Sequence, residues 1–400
     1  MKIADYVTRV EPSPTMAITA KAKAMIRDGV DVIPMSAGEP DFDTPQHIKD
    51  AAITAIQDGF TKYTSPPSGI IELKEAICEA FRRDNGLEYG PDEVIVNVGA
   101  KHSIFLGLAA LLDPGDEVIV PTPYWVTFTE QPKLVGAISV VVETRTENGL
   151  KMTPEEFRRA ITPKTRMLIL NSPSNPSGAV YSRPELEGLA AVAIDHGIVI
   201  IADEIYQKLV YDGVEHVSIA SLSDEMKRQC IVVNGLSKTY AMTGWRVGFA
   251  GASREVIAAM DKVQSQTVSH TTSMSQKAAV AALTGPQESV ETMRLEYDQR
   301  RKYVVRRLND MEGIDCPMPQ GAFYVYPDVS AHFGSKSPDG LSIESPAALC
   351  DYLLETGRVA CVPGEGFGTK QHLRISYATS MEAIETALDR IEEALSGLIR

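Results

Sequence analysis

Short apolar runs, most of them rich in β-branched residues, set the limits on what this chain can fold into: Glu117 to Val120, Met167 to Leu170, Ile198 to Ala202, Ile231 to Val233 and Val247 to Ala250. Each is too short for a helix and shows no sustained polar alternation, so the strand it forms is buried on both faces. Helical stretches such as Pro184 to His196 lie between them. Doubly buried strands alternating with helices predict an α/β fold with a mostly parallel sheet, because parallel neighbours need a crossover and the crossover helices cover the faces. Glu93 to Val98 predicts a further strand, followed by a turn at Gly99-Ala100 and a helix from Ile104 to Leu112. Open α/β sheets place ligands at the carboxyl ends of their strands. The polar motifs of this chain follow its predicted strands directly.

The densest of these motifs follows Cys230-Ile231-Val232-Val233-Asn234-Gly235 and reads Ser237-Lys238-Thr239-Tyr240-Ala241-Met242-Thr243-Gly244-Trp245-Arg246-Val247-Gly248. A lysine amine condenses with an aldehyde, while Ser237, Thr243 and Arg246 together offer donors for a phosphate. Those are the two demands that pyridoxal phosphate makes of a protein. A lone loop lysine is ordinarily a surface residue; these neighbours make Lys238 a catalytic candidate. On this stretch the chain resembles the class I/II aminotransferases, whose cofactor-lysine signature is Ser-Lys-x-Tyr-x-Met-Thr-Gly-Trp-Arg-x-Gly. More narrowly it is similar to the bacterial aspartate aminotransferase branch that includes aspartate/prephenate aminotransferases. The resemblance runs from about Arg9 to about Arg390. It implies a fold-type I transferase dependent on pyridoxal 5'-phosphate, with a large cofactor-binding domain over 46–299 and a smaller α+β domain over 300–400. The N-terminal arm, 1–45, would complete the small domain.

Several residues fit that expectation on their own chemistry. Gly99 and Ala100 are small residues at a helix N-terminus, where free N–H groups and the positive dipole end attract an anion. That dipole contributes only about 0.3–1 kcal/mol at an exposed site, so a phosphate also needs Ser237 and Arg246. Asp203 ends a buried strand, where a carboxylate needs a partner. It would serve either as a helix N-cap or, as the resemblance implies, as partner of the cofactor's pyridine nitrogen. Glu204 beside it is expected to pair structurally. The resemblance further implies that Asn175 and Tyr206 share the cofactor's phenolic oxygen and that Trp125 stacks on its ring. It also implies that Tyr63 reaches the cofactor phosphate of a neighbouring subunit, so that a homodimer shares its active sites.

For the substrate, Arg374 in Leu373-Arg374-Ile375-Ser376-Tyr377 carries a planar fork that matches a carboxylate. Alone it could be an exposed strand arginine; the resemblance makes it the α-carboxylate clamp, with Gly38 as a backbone contact and Asn175 and Trp125 beside it. Lys101 and Thr15 occupy the positions that this branch associates with dicarboxylates, although Lys101 could also be an ordinary helix-surface lysine. The expected reaction moves the amino group of L-aspartate to 2-oxoglutarate, with prephenate a further candidate substrate. The rival readings are an aminotransferase for aromatic or other amino acids and a β-lyase on the same scaffold.

A formal charge of −14 disfavours nucleic acid and anionic membrane as partners. The cysteines (Cys78, Cys230, Cys316, Cys350, Cys361) are odd in number and scattered, and the histidines show no HxxxH spacing. A reducing, cytoplasmic setting and no metal site are therefore expected. The N-terminal residues lack the apolar core of a signal peptide.

Overall fold

A computed structural model of the chain describes residues 1–12 and 14–399, without the side chains of residues 14 and 15. The expected role of the Thr15 side chain thus lies outside the described residues.

The apolar runs form strands β1 (Val94–Asn97), β2 (Glu117–Pro121), β3 (Ile138–Val142), β4 (Thr165–Asn171), β5 (Val199–Asp203), β6 (Cys230–Gly235) and β7 (Gly248–Gly251). They make one seven-stranded sheet in the order β1-β7-β6-β5-β4-β2-β3. Pairs β2–β3, β2–β4, β4–β5 and β5–β6 are parallel, while β7 runs antiparallel to both β6 and β1. The sheet is mostly parallel, as its doubly buried strands require. Successive residues go to opposite cores: Leu168, Ile200 and Val232 join one apolar cluster, and Ile169, Ile201 and Val233 join the other. Strand β3, which the doubly buried pattern did not select, is an edge strand with Ile138 and Val141 exposed.

Local signals explain where the helices begin and end. The helix Arg183–His196 opens on a Ser182–Glu185 capping box with proline in its first turn, and closes on left-handed Gly197. The helix Ala100–Leu111 starts four residues before the apolar run at Ile104. Gly99, with φ +81°, turns the chain out of β1 directly into the helix. A second set of strands, β8 (Tyr324–Val325), β9 (Ser335–Lys336), β10 (Ser342–Ile343), β11 (Val362–Pro363) and β12 (Leu373–Ser376), forms a β9–β10 hairpin and a three-stranded sheet in the order β11-β12-β8. Its cluster of Tyr297, Phe323, Tyr324, Ile375 and Tyr377 also takes in Met35 from the N-terminal segment and Tyr206 from beyond β5. Among the described residues no helix is long and apolar enough to cross a membrane.

Candidate active site

Strand register assembles the site. Asn171 pairs with Asp203 at the ends of β4 and β5, Asp203 pairs with Val233, and β6 then runs out towards Ser237 and Lys238. Above these carboxyl ends opens a cavity of about 620 Å³. Gly38, Ala100, Lys101, Trp125, Asn175 and Asp203 all line it, and so do Tyr206, Ser237, Lys238, Arg246 and Arg374. These residues come from most of the length of the chain.

Asp203 is buried, and burial pushes its carboxyl up to about 7. The Ile205 N–H donates to it at 3.2 Å, which favours the charged form, while the neighbouring Glu204 opposes it. A buried acid at the cavity wall is suited to a cationic N–H donor. Glu204 turns away to Asn85 Nδ2 (3.1 Å) and His216 Nε2 (3.2 Å), which is the structural pairing expected for it. The Lys238 amine donates to the Gly38 carbonyl. Burial lowers that amine to about 8; Arg374 and Arg246 push the same way, whereas Glu39 and Asp203 oppose them.

On the phosphate side the backbone forms a cradle that a side chain would fill. A Cβ on Gly99 would collide with the Arg246 guanidinium, and one on Gly248 would collide with the Ala100 amide. Arg246 sits in the left-handed region (φ +54°) and donates through Nη1 to Thr243 O at 2.9 Å. The amides of His102 and Ser103 turn to Gly99 O. Those of Ala100 and Lys101, ahead of them at the helix N-terminus, are the ones available to an anion. Ser237 is buried and lines the same cavity. Thr243 instead donates through its hydroxyl to Glu39 Oε2 at 3.0 Å, so only Ser237 and Arg246 of the three expected side chains remain for a phosphate.

Trp125 packs edge-on against Phe128, and the Lys101 ammonium lies over its ring at 4.6 Å. Burial, then the nearby Arg246, lowers the Lys101 amine below the usual lysine range. Arg374 is 3% exposed, which removes the reading of an exposed strand arginine. It donates to Asn175 Oδ1 at 2.9 Å and to Ser36 O at 2.8 Å, and its guanidinium lies over Tyr324 at 4.5 Å. Its buried Nε has no acceptor, which leaves the group short of an anion. Tyr206 and Tyr324 share a hydroxyl–hydroxyl bond of 2.9 Å. A buried acid, a lysine of lowered pKa, a glycine-lined cradle and an arginine short of an acceptor are together a donor set that fits pyridoxal phosphate carrying an amino acid.

Two expected residues stand apart. Tyr63 is 88% exposed, edge-on to His270, and does not line its own chain's cavity. Gly99 borders the cavity through Arg246 without lining it. The structure adds residues to which the sequence assigned no site role: Tyr324, Asn171, Ser36 and Glu39, with Thr19 and Lys23 of the helix Pro14–Arg27. Nothing local marked them, apart from Glu39 standing next to Gly38. No cluster of three or more potential metal ligands occurs among the described residues.

Comparison with known proteins agrees with this geometry. Residues 30–391 match the family described as aminotransferase class I and II. An aspartate aminotransferase of Geobacillus stearothermophilus is 50% identical over 99% of this chain and 100% of its own length. An aspartate/prephenate aminotransferase of Cereibacter sphaeroides is 46% identical over 99% of each chain. The crystal structure of the aspartate aminotransferase from Rhizobium meliloti superposes with a TM-score of 0.97 at 44% identity, covering 100% of both chains.

Proposed function

The chain belongs to the class I and II aminotransferases, enzymes that use pyridoxal phosphate to exchange an amino group between an amino acid and a 2-oxo acid, and from that premise we propose that its substrates are L-aspartate and 2-oxoglutarate. The observation that carries this reading is the joint placement of Lys238, Arg374 and Lys101 around one cavity. The first is a base, the second a carboxylate fork, and the third a cation left over for a second carboxylate. The names of the relatives at 46–50% identity point the same way.

Lys238 is assigned the cofactor aldehyde and Asp203 its ring nitrogen. Asn175 and Tyr206 are assigned its phenolic oxygen, Trp125 one ring face, and Ser237, Arg246 and the backbone of Gly99, Ala100 and Lys101 its phosphate end. When bound, the cofactor takes up the electron pair released at the substrate's Cα and carries the amino group between the two half-reactions. Lys238 moves the Cα proton, for which it must be neutral, and its lowered pKa raises the neutral fraction near pH 7 from about one in 3,000 to about one in 10. Arg374 orients the α-carboxylate, Gly38 contributes a backbone contact to it, and Asn175 holds the guanidinium in place.

Lys101 and Thr15 are assigned the distal carboxylate. Lys101→Ala is expected to lower kcat/KM for aspartate about tenfold or more, the value of one charge-assisted hydrogen bond, and to leave the value for alanine unchanged. Steady-state rates with the two donors decide it, and an equal effect on both would remove Lys101 from side-chain recognition. The Cereibacter sphaeroides relative makes prephenate a second acceptor to assay.

The exposed Tyr63 supports a homodimer in which it completes the phosphate site of the partner subunit. We also divide the chain as its sheets suggest, with a large domain over 46–299 and a small one over 300–400 that the arm 1–45 joins. The free cysteines and the acidic balance favour the cytoplasm.

A further inference from the structure

The segment Gly38-Glu39-Pro40-Asp41-Phe42 touches the cavity at one end only. There Gly38 O accepts from the Lys238 amine and Glu39 Oε2 accepts from Thr243 at 3.0 Å. Gly38 is also held close to the aromatic wall, since a Cβ on it would stand 3.1 Å from the Tyr324 hydroxyl. Three residues further on, the segment is fixed by a residue outside the cavity. Arg300, buried on the helix Glu288–Asn309, donates through Nη1 to both oxygens of Asp41 at 2.8 and 2.9 Å. Its Nε donates to Glu296 Oε1 at 3.1 Å. The guanidinium lies over Phe42 at 5.2 Å and over Tyr297 at 5.6 Å, and the Phe42 ring meets Tyr297 edge-on.

This is more than a surface ion pair. Arg300 has a 6% exposed side chain, both Asp41 oxygens and two aromatic contacts, a geometry with little rotamer freedom. Tyr297 behind it packs on Phe323, whose ring lies 5.7 Å from the Lys238 amine. Tyr297 and Phe323 thus link the pin to the cavity by a continuous run of ring contacts. A shift of Asp41 is carried to Gly38 through three peptide units that include the stiff Pro40.

We propose that Arg300 is a positioning residue for transamination, setting through Asp41 the distance between the Gly38-Glu39 backbone and Lys238. The inference rests on the assignment of Lys238 and Gly38 made above. The carbonyl of Gly38 receives the amine whenever it is free, and a displacement of about 1 Å there moves the base relative to the substrate's Cα, which is enough to cost about 10²-fold in rate.

The test compares Arg300→Lys, Asp41→Asn and their double variant as holoenzymes, well below their melting temperatures. Arg300→Lys keeps the charge and loses the Nε bond to Glu296 and the planar stacking on Phe42 and Tyr297. Each single variant is expected to lower kcat for the parent's best amino donor about 10- to 100-fold, and to weaken about tenfold the binding of maleate, a dicarboxylate with no amino group, followed by the cofactor's absorption. In the double variant the losses are expected to overlap rather than multiply. Phe42→Leu, which loosens the aromatic seat without touching a charge, gives a smaller loss of the same kind and replaces any variant that does not fold. A purely structural role lowers the melting temperature and leaves kcat and maleate affinity at the parent's values, and that result, or losses that multiply in full, overturns the proposal. The parent keeps the two readings separate: if its best donor is not aspartate, the substrate assignment fails, whereas the comparison of variants with that donor still decides the role of Arg300.

Discussion

Replacing Lys238 with alanine is expected to lower kcat by at least about 10⁴-fold, the upper range for losing a positioned proton-transfer group, because the residue both anchors the cofactor and moves the Cα proton. The other lysines that line the cavity are placed differently, Lys101 over the Trp125 ring and Lys23 on the helix Pro14–Arg27. The protein itself should survive the change. Lys238 contributes one hydrogen bond to Gly38 and resists protonation in its site, so truncation removes a half-buried amine held by that one bond. A melting temperature near the parent's would therefore accompany the loss of turnover. Small primary amines added to the solution are expected to restore part of the rate, the more basic amines restoring more per molecule bound. A variant within tenfold of the parent would show that proton transfer is carried elsewhere.

Arg374→Ala carries the second large effect. The guanidinium is buried between Asn175, Ser36, Tyr324 and Phe367, so its removal leaves two acceptors without donors and a substrate carboxylate without its counter-charge. Truncating one partner of a buried, hydrogen-bonded charge pair costs about 2–5 kcal/mol, which corresponds to about 30- to 5,000-fold in kcat/KM. Arg374→Lys restores the charge without the fork and should recover only part of that loss. The pattern across substrates separates this residue from Lys101. Every amino acid and every 2-oxo acid carries the carboxylate that Arg374 holds, so all donors and acceptors should weaken alike, whereas Lys101→Ala should weaken dicarboxylates alone. A loss confined to aspartate on replacing Arg374 would show that it reads the side chain.

Features encoded within a few residues were legible in the sequence. Short apolar runs placed β4, β5 and β6; the helical stretch Pro184 to His196 fell within one residue of the helix Arg183–His196; and the cluster around Lys238 announced its own chemistry. Strand β3 escaped because, at the edge of the sheet, none of its five residues is buried. The cradle at Gly99 was legible as smallness at a helix start, although the need for that smallness, the Arg246 guanidinium, comes from 147 residues away (246 − 99). Tyr324, the Glu39–Thr243 bond and the Arg300–Asp41 pin were not legible, since each acquires meaning only when segments separated by 118 to 259 residues meet. Thr243 shows the same limit in reverse. Its spacing from Lys238 suggested a phosphate donor, and the fold gave its hydroxyl to Glu39.

The central claim is a half-transamination that starts from aspartate. Its direct measurement is the absorption of the cofactor-loaded enzyme before and after excess L-aspartate with no 2-oxo acid present, together with the oxaloacetate released. The account predicts loss of the long-wavelength band, one oxaloacetate per active site and no further product, followed by return of the band when 2-oxoglutarate is added. An unchanged band, or a product that keeps accumulating beyond one per site without an acceptor, would contradict it.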